Sequence, residues 1–442
     1  MRIHFISLGC PRNLVDSEIM IGRLLAAGHT VVSDEREADC VVVNTCSFIE
    51  PAVNESIDVI LEMGSWKEER QGRRLIVVGC LPQRYGSDLV KDLPEVDAFL
   101  GTGAFHRIVD AAEGIMDDRG RILLPHPHES PLQELAMPRF RTTPAHTAYL
   151  KIAEGCSGRC TYCIIPKLRG LQRSRPMEEV LEEAGALVAS GVKELVLVAQ
   201  NTMAYGEDLG PPHHLEGLLE GLTHLSGLVW VRLLYGHPDR MTDSLMETIA
   251  SHSMICSYFD LPIQHISEPV LKAMGRRHDS TALFRLFDRI RRVVPEAALR
   301  TTLMVGFPGE SDQDFQCLLD FVERVRFDHL GAFIYSNEKD LPSKALKNHV
   351  PDVVKQERFD RLMSRQREIS GEVNQKHVGK TLKVLVEGET EAPDAVWVGR
   401  TAFQAPEVDG VVYIESGTAH PGMFADVLIT EACEYDIKGT IL

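Results

Sequence analysis

Short apolar runs alternate with helical stretches from Arg2 to Tyr335, and that alternation sets the fold class before any single residue is weighed. Runs at Arg2–Leu8, Cys40–Val43 and Leu75–Val78 read as strands, and Leu14–Ala27 carries apolar residues at helical spacing. Strands separated by helices imply a parallel, doubly wound sheet, because a parallel return needs a crossover long enough to hold a helix. Such sheets build their sites at the carboxyl ends of the strands. Here each of the three strands leads into a cysteine, in Gly9-Cys10, Asn44-Thr45-Cys46 and Gly79-Cys80. These cysteines are 36 and 34 residues apart, yet the fold is expected to bring them to one rim. Three unrelated core thiols are the plainer alternative, since free cysteine is a common small core residue.

A second set is local. The strand Ala148–Ala153 delivers Cys156, Cys160 and Cys163, a C-x-x-x-C-x-x-C spacing. Closed iron–sulfur clusters take four cysteines, so three thiolates leave one iron of a 4Fe-4S cluster open. Zinc is the competing reading, but structural zinc sites fill four positions and no fourth Cys or His stands close in sequence. By the same argument Cys10, Cys46 and Cys80 form a second three-thiolate set, and so a second cluster with an open iron.

Further strands are expected at Glu194–Ala199, Leu228–Leu234, Tyr258–Ile263, Leu299–Val305 and Leu330–Tyr335. Between them lie helical stretches such as Met177–Ala189, Leu283–Val293 and Asp312–Val325. Six strand–helix units point to a partial (β/α)6 barrel, whose chemistry sits on loops at the carboxyl ends of the strands. Residues 117–141, rich in Pro, His and charge, read as a linker. Pro351 to about Lys376 reads as a charged connecting helix. After it come β-branched runs broken by Gly and Pro, the pattern of a small β-barrel. The expectation is an α/β chain with domains at 1–116, 142–375 and 376–442.

Ten cysteines in 442 residues, without secretory features, argue for metal or redox chemistry in the cytoplasm rather than disulfides. No apolar stretch is long enough for a membrane span. The net charge is −17, which disfavours generic nucleic-acid binding and favours a basic partner.

Together, the three N-terminal cysteines, the C-x-x-x-C-x-x-C barrel and the small C-terminal β domain resemble the methylthiotransferase family of radical S-adenosylmethionine (SAM) enzymes. The resemblance spans an N-terminal methylthiotransferase domain, a radical SAM domain and a TRAM domain. It implies two 4Fe-4S clusters, one on Cys156, Cys160 and Cys163 that binds SAM, and an auxiliary one on Cys10, Cys46 and Cys80 that holds the sulfur to be transferred. It also implies a second SAM as methyl donor and an electron donor such as a flavodoxin or ferredoxin. The wording Ser7-Leu8-Gly9-Cys10-Pro11-Arg12-Asn13 and Cys163-Ile164-Ile165-Pro166-Lys167-Leu168-Arg169-Gly170 is similar to the branch that modifies a ribosomal protein. That branch implies an aspartate of small-subunit ribosomal protein twelve, thiomethylated at its β-carbon, as substrate; a tRNA base is the alternative. From Lys376 onward there are five Lys/Arg against eleven Asp/Glu, a balance of −6. An acidic domain suits a basic ribosomal protein better than tRNA phosphates.

For SAM, the resemblance points to Tyr162 beside the adenine and to Gly306 in Val305-Gly306-Phe307-Pro308-Gly309-Glu310. The family often has a glycine four places before Gly306, where this chain has Thr302. Gln200 and Asn201 end a barrel strand and are candidates for the amino or carboxylate group. Arg300 is a candidate for the carboxylate, since arginine presents a planar fork. Ser311 with Asp314 fits a helix cap. His237, His265 and the pair Arg276-Arg277 read as structural or solvated, and Cys40, Cys256, Cys317 and Cys433 as core or surface thiols.

Overall fold

The computed structural model describes residues 1–115, 121–129 and 139–442. The N-terminal sheet holds β1 (Arg2–Ser7), β2 (Thr30–Val31), β3 (Cys40–Thr45), β4 (Arg74–Gly79), β5 (Ala98–Leu100) and β6 (Ile122–Leu123). Its strands are all parallel, in the order β2-β1-β3-β4-β5-β6. Val41, Val43, Leu75 and Val77 pack on one face, against Val53, Ile60 and Trp66 of α2 (Glu50–Glu68). Val42, Ile76 and Val78 pack on the other, against Met20 and Leu24 of α1 (Pro11–Ala26). A strand buried on both faces reads as a continuous apolar run, and β3 and β4 carry one at Cys40–Val43 and Leu75–Val78. The strands that lead into Cys10, Cys46 and Cys80 are neighbours, β1, β3 and β4, so their ends lie side by side.

The central domain begins with β7 (Thr147–Lys151), then the short pair β8 (Ala153–Glu154) and β9 (Arg173–Ser174). There follow β10 (Glu194–Val198), β11 (Trp230–Leu233), β12 (Tyr258–Asp260), β13 (Ala298–Val305) and β14 (His329–Ile334). β7, β10 and β11 form one parallel sheet, and β12, β13 and β14 another. The two meet at a parallel bridge between Val231 and Ile255. Alternate residues such as Leu150, Leu195, Leu197, Val231 and Leu299 face the surrounding helices. The other set, with Tyr149, Val196, Trp230, Tyr258 and Ala298, packs on Val15 and Ile19 of α1 and on Leu385 and Ala405 of the C-terminal domain. The lower bore of the barrel is thus filled by its two neighbours.

The helix Asp352–Asn374 leads to a closed barrel of β15 (Thr381–Glu389), β16 (Trp397–Thr401), β17 (Val412–Ser416), β18 (Phe424–Ala432) and β19 (Ile437–Ile441). β16 and β19 were not expected from the sequence. The residues described between 117 and 141 do more than link. Ile122 and Leu123 form the edge strand of the first sheet, and Arg139 donates to the buried Glu18 at 2.6 Å. The rest of that expected linker lies outside the described residues. Among the described residues no helix is long and apolar enough to cross a membrane.

Candidate functional site

Cys10 stands between β1 and α1, Cys46 follows β3, and Cys80 opens the short helix α3 (Cys80–Tyr85) directly after β4. The approach is close. Gly9 has φ +91°, and a Cβ there would sit 2.7 Å from Cys46 Cβ, so only glycine lets the first loop lie on the second. Cys46 feels the charge of Cys80 and Cys10, and Cys80 feels that of Cys10. Burial pushes Cys46 up to about 11 and also raises Cys80, with neighbouring thiolates adding to the rise at both. Cys10 is different. Burial opposes ionisation there too, but Arg12, whose Nε lies 3.4 Å from its Sγ, draws its pKa down.

The second triad sits in the loop after β8. Cys156 N–H donates to Gly170 O at 3.0 Å, and Gly158 N–H donates to Cys156 Sγ at 3.3 Å. The loop is clasped from outside. Thr161 N–H reaches Met274 O at 3.0 Å, and its hydroxyl reaches Ala273 O at 2.8 Å. Burial, with Cys160 and Cys156 adding to it, raises Cys163 to about 12.

Arg12 stands between the triads. It bonds Cys10, donates to Ala199 O at 3.1 Å and lies 4.3 Å over the Tyr235 ring. Its charge also acts on Cys156 and Cys163. Arg169 makes the reverse journey. It ends α6 (Ile165–Arg169), beyond the second triad, and places Nη2 3.6 Å from Cys80 Sγ and 2.7 Å from Asn13 Oδ1. Its Nη1 pairs with Asp16 at 2.6 Å, and Lys151 also pairs with Asp16 and with Glu154. The two three-cysteine sets therefore face each other across a buried, charge-balanced seam.

The candidate SAM residues divide. Tyr162 accepts a hydrogen bond from Arg276 Nε at 3.1 Å and meets Phe307 edge-on at 6.3 Å. Gln200 donates to Glu154, while its Oε1, Asn201 Oδ1 and Arg276 Nη1 are buried and have no partner. Buried polar atoms normally find partners, so this group fits a polar ligand. Gly306, at φ +75°, turns the chain after β13, and its N–H donates to buried Glu310 at 2.8 Å. Arg300 behaves otherwise. It lies five residues before the end of β13, about 16 Å down the strand. Its fork is already met by Asp260 at 2.9 Å and by Asp409 of the C-terminal barrel at 3.3 Å.

His265 is fully buried and accepts from Ser267 N–H at 3.0 Å, a structural role. His237 accepts from Asp239 N–H at 3.3 Å, and burial lowers it to about 4. Ser311 and Asp314 form a reciprocal cap. Cys40 and Cys256 are core thiols, Cys317 is exposed and Cys433 partly so.

Among the described residues, no group of three or more His, Cys, Asp or Glu side chains is gathered to hold a metal ion. One zinc ion would draw sulfurs to ~2.3 Å from a single point. A cubane cluster makes another demand, since each cysteine takes its own iron. The donor chemistry of both triads, thiols alone on adjoining loops, fits the latter.

Residues 150–322 match the radical SAM superfamily, residues 378–442 the TRAM domain, and residues 2–101 the uncharacterized protein family UPF0004. The ribosomal protein uS12 methylthiotransferase RimO of Desulfosudis oleivorans is 52% identical over 440 residues, 99% of each chain. The chain belongs to the RimO family of methylthiotransferases. A RimO of Geotalea uraniireducens is 47% identical, covering 100% of this chain and 98% of its own. The RimO of Clostridioides difficile is 46% identical, covering 100% and 99%. The radical SAM fold is shared more widely. The radical SAM methyltransferase TsrM of Kitasatospora setae superposes with a TM-score of 0.57 at 14% identity, over 89% of this chain and 79% of its own. RimO membership accords with the motifs around Cys10 and Cys163. Arg12 and Arg169 lie in those same motifs, but nothing in one sequence singles them out from the loop residues beside them.

Proposed function

We propose that this chain is a radical SAM methylthiotransferase that adds a methylthio group to the β-carbon of an aspartate in ribosomal protein uS12, using two 4Fe-4S clusters. The observation that carries it is the juxtaposition of two three-thiol sets, each on loops at strand ends, across the Arg12–Arg169 seam. Cys156, Cys160 and Cys163 would hold the SAM-binding cluster, and Cys10, Cys46 and Cys80 the auxiliary one. Bound there, these groups supply one-electron SAM cleavage, hydrogen removal from an unactivated carbon, and the sulfur, none of which a side-chain base near neutral pKa provides.

The protein's own part is placement. Gln200 Oε1 and Asn201 Oδ1, buried and unpartnered among the described residues, would accept from the SAM ammonium, and Tyr162 with Phe307 would flank the adenine. Glu310 fixes the Gly306 turn, itself held by Arg358 at 2.7 Å. Arg300 we assign to positioning Asp260 rather than to SAM. The Asp16–Lys151–Glu154–Arg169 set is buried between the two centres. In the C-terminal barrel Arg400 is buried in ion pairs, whereas Glu389, Glu391, Asp394, Glu407, Asp426, Glu431 and Glu434 are exposed. An acidic surface of this kind supports docking of a basic protein. One-electron supply by a flavodoxin or ferredoxin, and action in the cytoplasm, belong to the same reading.

The test is mass spectrometry of ribosomal proteins from cells with and without this gene. One methylthio group on uS12, present only with the gene, is expected. An unmodified uS12 with methylthio loss from tRNA instead would replace the protein substrate by the nucleic-acid one.

A further inference from the structure

Arg169 has an unusual address. It lies six residues after Cys163, on the loop of one three-cysteine set, yet its guanidinium is docked against the other. Its side chain is only 4% exposed. Nη2 bonds Cys80 Sγ at 3.6 Å and Asn13 Oδ1 at 2.7 Å. Asn13 in turn donates to Leu8 O at 2.8 Å and to Thr45 O at 3.1 Å, the carbonyls just before Cys10 and Cys46. One side chain therefore supports all three ligand loops, one directly and two through Asn13. Nη1 is held by Asp16 at 2.6 Å and Glu154 at 3.5 Å, and Lys151 completes a set of two acids and two bases. Four buried charges that cancel, with their hydrogen bonds made, keep the fork in place.

An arginine in that position does more than brace. Hydrogen bonds to cluster sulfurs and local net charge are two of the factors that set an iron–sulfur potential. A cation beside the cluster favours the state with the extra electron.

We propose that Arg169 is a positioning residue of the Cys10–Cys46–Cys80 centre, which hydrogen-bonds the Cys80 sulfur and raises the reduction potential of the cluster bound there. The potential of one centre is thereby governed from the cysteine loop of the other. The inference rests on the two-cluster reading above.

The experiment is an EPR-monitored redox titration of the full chain carrying its clusters, with and without SAM. The transition that responds to SAM marks the Cys156–Cys160–Cys163 centre, and the one that does not marks the other. In Arg169→Gln the SAM-independent transition is expected to fall by at least tenfold in its reduction equilibrium, about 59 mV for one electron. The SAM-responsive transition stays within about twofold. Arg169→Lys, which keeps the charge, recovers part of the shift. Asp16→Asn combined with Arg169→Gln leaves Lys151 paired with Glu154 and so restores the charge balance, and serves where Arg169→Gln alone does not fold. A SAM-independent transition unmoved in the folded variants overturns the inference and leaves Arg169 a brace. A single transition in the parent overturns the two-cluster reading and this inference with it.

Discussion

Arg400 of the C-terminal barrel places Nη2 2.6 Å from Glu194 Oε2 at the start of β10, and neither side chain reaches solvent. Arg232 closes the same carboxylate from the other side at 2.9 Å and also donates to the Ala402 carbonyl at 2.8 Å. The C-terminal domain is thus keyed into the barrel by a buried ion set. Breaking such a set by removing one member leaves a charge uncompensated. Arg400→Ala is expected to cost about 3–5 kcal/mol, read by urea unfolding.

The same carboxylate gives the acid response a direction. Burial pushes Glu194 up, but Arg400 and Arg232 outweigh it and hold it down to about 2, against an ordinary 4.5. A folded-state pKa below the unfolded value adds stability above the unfolded pKa, and that stability is lost as pH falls through the folded one. The Glu194 contribution is therefore full above pH 4.5 and disappears toward pH about 2. Thermal melts of the parent and of Glu194→Gln across that window should converge as pH drops. Curves that stay parallel would deny the pair its role.

Metal content separates the two triads. Anaerobic reconstitution of the parent should give about eight irons per chain, and about four in either Cys10→Ala/Cys46→Ala/Cys80→Ala or Cys156→Ala/Cys160→Ala/Cys163→Ala. The first triple variant should still cleave SAM when reduced, whereas the second should not.

Gly306 tolerates no side chain. A Cβ at φ +75° would meet Lys355 Cγ at 2.3 Å, and Lys355 is itself buried. Gly306→Ala should cost ~1–3 kcal/mol and weaken SAM binding, measured by calorimetry on the reconstituted protein. Thr302→Gly, which brings the family's usual residue to its place, should leave that affinity within about twofold, because its carbonyl bond from Gln264 N–H survives the change.

If the acidic C-terminal face guides uS12, binding must weaken with ionic strength. From low salt to ~1 M, where the Debye length is about 3 Å, affinity should fall several-fold, mostly through association rate. A variant with Glu389, Glu391 and Asp394 changed to Gln or Asn should show a flatter salt dependence. An unchanged slope would place the docking surface elsewhere.

Much of this was legible because its signals are local or periodic. The cysteines Cys10, Cys46 and Cys80 announced their meeting through the strand runs before them, since neighbouring parallel strands end together. Met177–Ala189 and Asp312–Val325 stand where apolar spacing put them. Trp397–Thr401 and Ile437–Ile441 did not stand out, because short strands in a small closed barrel carry Gly, Arg and Lys among their apolar residues. The partners of Arg300 were hidden for a different reason. Periodicity says which way a strand residue points, but which acid meets it was decided by Asp409, 109 residues later. Arg12, Arg169 and Asp16 were invisible for the same cause, since their partners come from other domains.

The filled lower bore, with Tyr149 and Trp230 packed on α1 and the C-terminal barrel, leaves the central ring a blind vessel rather than a tunnel. Guests small and large are then expected to enter from the cysteine-lined top. A nucleoside-sized guest seated deeper than a protein loop at the opening would have to arrive first and leave last. An obligatory order of addition, the smaller guest first, is the kinetic consequence to be expected of such a vessel.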